Sequence, residues 1–176
     1  MIRFLYGAPA SGKTTLGKLL AKRWGFKFVD TDALIEERAG RTIAQIFARD
    51  GEQGFRELEA RIVADVLNSH DPLVVATGGG APLRESTRRL MKERGVVVRL
   101  VASVETISQR MLGDKGTATR RPSLTDDSSP VAEIERVLTA REPIYREVAT
   151  FEVETDGKTL DELVEEIADR APVFFI

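Results

Sequence analysis

No cysteine occurs anywhere in the chain. Disulfide frameworks and thiolate metal sites are therefore excluded. Long apolar runs are missing as well, and none approaches the ~20 residues needed to span a bilayer. The formal charge is only -2, which gives no global attraction to nucleic acid, so any affinity for anions must come from a local cluster. The single histidine, His70, stands before Asp-Pro at the end of a helical pattern and reads as a solvated terminus. The opening apolar segment "MIRFLYG" has a strand's length and leads straight into a glycine-rich motif, so no cleavable leader is expected. A cytoplasmic protein without membrane or nucleic-acid partners is the expectation. What is present, 42% hydrophobic and 31% charged residues over 176 positions, fits one soluble domain with a substantial core.

Short apolar runs alternate with longer amphipathic segments. Strands are expected at 2–6, 26–29, 73–76, 96–101 and 151–154. Helical patterns lie near 14–24, 42–49, 52–69, 84–94, 104–112, 131–148 and 160–170, with Trp24 packing one of them. Strands that are almost wholly apolar, alternating with helices, predict an α/β fold with a parallel sheet covered on both faces. Residues 113–130, "GDKGTATRRPSLTDDSSP", break the pattern. A polar stretch of that length is either a surface excursion or a functional lid, and the adjacent Arg120 and Arg121 give the second reading its chemistry.

"GAPASGKT", from Gly7 to Thr14, matches G-x-x-x-x-G-K-[ST] between a strand and a helical pattern, the context that motif requires. Gly7 and Gly12 permit the backbone angles that turn successive N–H groups toward phosphate oxygens. Lys13 reaches the β- and γ-phosphates, the Thr14 hydroxyl can ligate magnesium, and the helix N-terminus faces the same anion. The cradle therefore comprises Ala10, Ser11, Gly12, Lys13, Thr14 and Thr15. Kinases, switch GTPases and motor ATPases share such a loop. The only asparagine is Asn68, followed by Ser69, so a guanine-reading Asn-Lys-x-Asp is absent. The length suits a small-molecule kinase better than a motor.

The second strand ends in "VDTDALIEE". In extended chain Asp30 and Asp32 point to the same side at the sheet's ligand-binding edge. Asp32 reads either as an N-cap for the helical pattern from Ala33 or as the group that accepts a proton from an attacking hydroxyl. Asp30, nearer the strand end, is suited to magnesium. The third strand ends in "VATGGGAP", with glycines where a nucleotide-hydrolysing enzyme often carries a metal-binding carboxylate. A wall of bare backbone there, at Gly78, Gly79 and Gly80, leaves room for a compact second substrate.

Taken in order, "GAPASGKTT", "DTDALIEERAGRTIAQIFARDGEQGFRELE", "VVATGGGAP", "RRPSL" and "REPIYREVA" make the chain resemble the shikimate kinases, over essentially its whole length. The resemblance implies a three-layer P-loop kinase fold, with a five-stranded parallel sheet flanked by helices and a mobile lid at about 113–130. It implies a substrate-binding helical region at about 31–60. It further implies transfer of phosphate from ATP, with Mg2+, to the 3-hydroxyl of shikimate in aromatic amino-acid biosynthesis.

By position in those motifs, Asp32 would contact the hydroxyl and Arg56 and Arg141 would bind the carboxylate. Gly78, Gly79 and Gly80 would line the pocket. Lys13 and Arg121 would serve the moving phosphoryl group, with Arg120 the neighbouring rival, and Arg110 and Lys158 would lie against adenine. Thr14 and Asp30 would attend the metal. Arg56 is also spaced to pair with Glu59 at i,i+3. Arg141, read without the resemblance, is one more solvated helix arginine. The lid departs from the family pattern in carrying Ser123 where an apolar residue is usual. A single-domain monomer acting by direct in-line transfer is expected. A gluconate-kinase-like enzyme and a non-catalytic nucleotide-binding protein are the alternatives.

Overall fold

The computed structural model describes residues 2–113 and 130–172. Five strands form one wholly parallel sheet: β1 (Ile2–Gly7), β2 (Lys27–Asp30), β3 (Leu73–Ala76), β4 (Gly95–Val101) and β5 (Phe151–Glu154), in the order β2-β3-β1-β4-β5. The helices are α1 (Lys13–Trp24), α2 (Thr31–Ala39), α3 (Ile43–Leu67), α4 (Glu85–Arg94), α5 (Val104–Gly113), α6 (Pro130–Val148) and α7 (Leu160–Arg170). A short 3-10 turn, Ala81–Leu83, precedes α4. None of the helices is long and apolar enough to cross a membrane, among the described residues.

Both faces of the sheet are covered, which is why its strands read as continuous apolar runs. On one face Phe4, Tyr6, Val75 and Val97 pack against Val63, Val66 and Leu67 of α3, Met91 of α4, and Tyr145 and Val148 of α6. On the other, Leu5, Val74, Val98, Leu100 and Val153 meet Leu16, Leu20 and Trp24 of α1 and Leu163, Val164 and Ile167 of α7. The alternation between Phe4, Leu5 and Tyr6 follows from the two-residue period of a strand. Burying each large side chain contributes about 1.5–3 kcal/mol. A smaller cluster, Ile35, Ile43, Ile46, Phe55 and Ile62, joins α2 to α3 and makes a rigid shoulder beside β2.

Two sequence expectations need correcting around β2. The strand runs over 27–30 rather than 26–29, and α2 starts immediately at Thr31. Asp30, not Asp32, is the N-cap: its Oδ1 accepts the backbone N–H groups of Asp32 (3.1 Å) and Ala33 (3.3 Å). The two aspartates therefore do not share one face of an extended strand. The strand runs one residue past its apolar pattern and stops at Asp30, because the helix begins there and two otherwise orphaned helix donors are satisfied by that side chain. The patterns at 42–49 and 52–69 run together as α3, but the backbone breaks at Gly51, whose φ of 69° lies outside the helical range. A capping box between Thr42 and Gln45 fixes its start.

The order β2-β3-β1 on one side and β4-β5 on the other puts a switch in winding direction at β1. Ligands of open α/β sheets bind beyond the carboxyl ends of strands at such a switch. The segments following β1, β2 and β3 all emerge at that edge.

Candidate active site

The loop from β1 to α1 is tied to itself and to its neighbours. Lys13 Nζ donates to the carbonyls of Ala8 (2.7 Å) and Gly7 (3.2 Å), so the ammonium folds over the loop. Gly12 enters α1 with φ 92° and Ala10 has φ 58°, the only non-glycine positive value among the described residues. Such a conformation costs an alanine on the order of 1 kcal/mol or more and persists when surrounding bonds over-determine it. Here Arg110 of α5 donates to the Ala10 carbonyl at 3.2 Å.

At the end of β2 the Thr14 hydroxyl donates to Asp30 Oδ2 at 2.7 Å. The two groups expected to attend magnesium are thus already adjacent. A hydroxyl and one carboxylate oxygen suit a hard cation that keeps waters and takes its remaining ligands from phosphates. Among the described residues no cluster of three or more carboxylate, histidine or cysteine ligands exists that would hold a metal by protein alone. Asp32 lies half-buried in the first turn of α2. Between the aspartates, the fully buried Thr31 accepts the N–H of Gly78 through its hydroxyl (3.3 Å), which joins the start of α2 to the loop after β3. Thr31 escaped the sequence reading, since a threonine between two acids carries no signal of its own.

The glycine loop is a contact surface. A Cβ on Gly80 would overlap the Arg56 guanidinium. One on Gly79 would stand 2.9 Å from the Gly7 carbonyl, 3.1 Å from the Tyr145 hydroxyl and 3.9 Å from Arg141 Nη1. Successive glycines are thus approached by two guanidinium groups, one from α3 and one from α6, with the phosphate loop against them. The bare backbone accommodates the protein's own groups at Gly79 and Gly80, which refines the expectation of simple open space.

Each arginine has a support. Arg56 Nη1 pairs with Glu59 Oε2 at 2.7 Å, Nη2 reaches Glu52 at 3.5 Å, and the guanidinium lies 5.2 Å from the centre of the Phe55 ring. The Glu59 side chain is only 3% exposed, so this i,i+3 pair is an orienting contact in low dielectric rather than a surface one. Arg141 sits one turn before Tyr145 on α6, and Glu142 anchors that helix. Glu142 takes two hydrogen bonds from Arg99 of β4, at 2.5 and 3.1 Å, and Arg99 also pairs with Glu152 of β5 at 2.6 Å. Burial works against the Arg99 charge, but the hydrogen bonds it donates to Glu142 and Glu152 outweigh it and keep the guanidinium protonated. Arg99's hydrogen bond, in turn, holds the Glu142 carboxyl below the usual glutamate range.

On the opposite side of the phosphate loop, Lys158 pairs with Glu166 at 2.6 Å. Nearby, Asp156 accepts the Ser103 N–H at 2.9 Å, and its carboxyl is held low by hydrogen bonding from Ser103 and, as a minor cause, by the charge of Arg110. Arg120, Arg121 and Ser123 lie outside the described residues. The structure thus brings Lys13, Thr14, Asp30, Asp32, Arg56, Gly78–Gly80, Arg110 and Arg141 to one edge of the sheet.

A phosphate-binding strand-loop-helix, an adjacent hydroxyl–carboxylate pair, and two arginines converging beside it define a P-loop phosphotransferase for a small anionic acceptor. The relatives sharpen that class. The shikimate kinase family profile matches residues 9–172. A shikimate kinase of Geobacter sulfurreducens is 46% identical over 164 residues, 93% of this chain and 87% of that one. The solved shikimate kinase of Acinetobacter baumannii in complex with shikimate is 37% identical, with TM-score 0.88 over 96% of this chain and 91% of that one. The chain belongs to the shikimate kinase family. A gluconokinase from Sinorhizobium meliloti, at 22% identity and TM-score 0.61 over 96% of this chain and 92% of that one, shares the fold alone.

Proposed function

We propose that this site carries the shikimate kinase reaction with the division of labour that its geometry supports best. The reaction is ATP-dependent phosphorylation of the shikimate 3-hydroxyl, a step of aromatic amino-acid biosynthesis. The observation that carries the residue assignment is the convergence of Arg56 and Arg141 on Gly79 and Gly80, immediately beside the Gly7 carbonyl.

A planar guanidinium grips a carboxylate by two parallel hydrogen bonds, and two of them fix both its position and its plane. With the acceptor's carboxylate so held, its ring extends along Gly78–Gly80 toward Asp32. Asp32 takes the proton of the 3-hydroxyl as that oxygen bonds to the γ-phosphorus. The bond from γ-phosphorus to the bridging oxygen breaks, and ADP leaves with that electron pair. Lys13 stays with the transferring oxygens. Arg121 is assigned to the same charge, from the lid expected at about 113–130. Thr14 and Asp30 hold Mg2+, which neutralises phosphate charge when bound. Arg110 and Lys158 flank the adenine. The chain is read as one domain, acting as a cytoplasmic monomer.

An ATP-coupled assay offering shikimate beside gluconate, quinate and nucleoside monophosphates tests the reaction, and ADP release with a competitor alone would overturn it. Asp32→Asn tests the base. Turnover is expected to fall by about 10²–10⁴-fold, while nucleotide affinity stays within a factor of about two. Weaker ATP binding with normal turnover would mean that Asp32 attends the nucleotide instead.

A further inference from the structure

The chain contains two tyrosines, and both are buried against the candidate site's scaffold, Tyr6 at 0% and Tyr145 at 1% exposure. Their rings meet edge to face, with centroids 5.6 Å apart. Their hydroxyls do different work. Tyr6 of β1 donates to the Tyr145 carbonyl, one of the last carbonyls of α6, which lack partners within their own helix. Burial pushes the Tyr6 hydroxyl well above the usual phenol range, so it remains a neutral donor. Tyr145 donates in the other direction, to the Gly79 carbonyl at 2.5 Å.

That second bond links two segments far apart in sequence, and both carry the site. Tyr145 follows Arg141 by four residues, so the two side chains share one face of α6. Gly79 is the residue whose Cβ position lies 3.1 Å from the Tyr145 hydroxyl, 3.9 Å from Arg141 Nη1 and 2.9 Å from the Gly7 carbonyl. The rotation of α6 is set independently by Arg99, which is hydrogen-bonded to Glu142 and lies 5.3 Å from the centre of the Tyr145 ring. An apolar residue at 145 would preserve the packing and the ring contacts. It would leave the Gly79 carbonyl buried and unsatisfied, free to tilt away from Arg141.

We propose that the Tyr145 hydroxyl is a positioning group that fixes the glycine loop against Arg141 and so sets the spacing of the acceptor's carboxylate grip. The proposal rests on the assignment of Arg141 as a carboxylate ligand. Tyr145 touches neither substrate; it acts through Gly79 and Arg141.

Tyr145→Phe is expected to raise the shikimate KM by roughly tenfold, which corresponds to about 1.4 kcal/mol. The ATP KM should stay within a factor of about two. Tyr6→Phe removes a hydroxyl of the same kind from the same cluster without touching Gly79. It should lower Tm while leaving the shikimate KM within about twofold. In an Arg141→Ala background the effect of Tyr145→Phe should shrink below about threefold, because the group it positions is gone. A shikimate KM unchanged in Tyr145→Phe, or a full tenfold effect persisting without Arg141, would overturn the proposal. If Arg141→Ala itself leaves the shikimate KM unchanged, the carboxylate assignment fails, and this proposal with it; an altered KM in Arg141→Ala beside an unaltered one in Tyr145→Phe confines the failure to Tyr145.

A measurement on the wild-type sequence does not depend on the variant folding. With 3-fluorotyrosine incorporated, two 19F resonances are expected and can be assigned with Tyr6→Phe. Saturating shikimate should move the Tyr145 line more than the Tyr6 line. Equal displacement of both, or none, would show that the hydroxyl does not sense the acceptor.

Discussion

The side of the site proposed to take the acceptor and the side proposed to take the nucleotide are built differently. On the acceptor side, Arg56 is held by a glutamate that is 3% exposed, and Arg141 rides on a helix fastened by Arg99 and tied to the glycine loop by Tyr145. On the nucleotide side, Arg110 is exposed and donates to the Ala10 carbonyl at 3.2 Å, and Lys158 sits in an ion pair whose partners are 35% and 29% exposed. The first arrangement is preorganised: its guanidinium groups point into place before anything binds, so little entropy is lost on capture. The second can adjust. A small rigid acid whose hydroxyl must meet phosphorus within a fraction of an ångström calls for the first, because misplacement by about 1 Å costs on the order of 10²-fold in rate. An adenine, far from the reacting bond, tolerates the second.

The strongest way to break that comparison is to remove a supported arginine. Arg56→Ala should raise the shikimate KM by about 30- to 300-fold, the loss expected when one member of a desolvated charge pair is truncated. Stability should fall too, since Glu59 is left buried with its main cation gone. An effect confined to the ATP KM would reverse the assignment of the two sides. Next in size is Gly80→Ala. Its Cβ meets the Arg56 guanidinium, the flexible end of a side chain. The fold should therefore survive while the grip is displaced. About a tenfold rise in shikimate KM is expected, with Tm lowered by only a few degrees. If Tm collapsed instead and KM did not move, the glycine would be serving the fold rather than the acceptor.

How much of this was legible beforehand depends on whether the signal was local. The five strands and the phosphate loop were readable because burial on both faces and the G-x-x-x-x-G-K-[ST] spacing are written in consecutive residues. The Arg56–Glu59 pair was readable from helical spacing. The break at Gly51 falls in the gap between the helical patterns at 42–49 and 52–69. The start of α2 was misread because an N-cap and a strand end compete for the same aspartate, and only the geometry shows Asp30 taking both donors. Thr31 and Tyr145 were invisible for another reason. Their roles depend on Gly78 and Gly79 lying opposite them, 47 and 66 residues away in sequence. Tyr145 did stand four residues after Arg141, and that spacing was the only available hint.

A smaller effect separates the scaffold from the grip it supports. The Glu142 carboxyl is held below its ordinary value by Arg99, so its contribution is complete above the unfolded value of about 4.3 and is lost as pH falls through the lower folded value. Glu142→Gln should therefore lower Tm by about 2–4 °C at neutral pH, a modest figure because the side chain is partly exposed. The gap to wild type should hold down to about pH 5 and close below about pH 4. A gap that persisted undiminished at pH 3 would mean that packing, not charge, ties α6 to β4.

The smallest expected effect falls on Lys158, and it tests the comparison from the other end. Its ammonium is paired with Glu166, itself shared with Arg170 at 3.4 Å. Pairs this exposed contribute about 0–1 kcal/mol, and Glu166 keeps a cation when Lys158 is removed. Lys158→Ala should accordingly leave Tm within about 1 °C and raise the ATP KM by less than about threefold, with the shikimate KM unmoved. To contact a nucleotide at all, the lysine must first give up Glu166, so its own pair is subtracted from whatever it gains. Among the described residues Arg110 has no such rival in an ion pair, and it already touches the loop at Ala10, so Arg110→Ala should exceed Lys158→Ala in its effect on ATP. A tenfold ATP effect at Lys158 would mean that the nucleotide side is as firmly prearranged as the acceptor side, and the contrast between them would no longer stand.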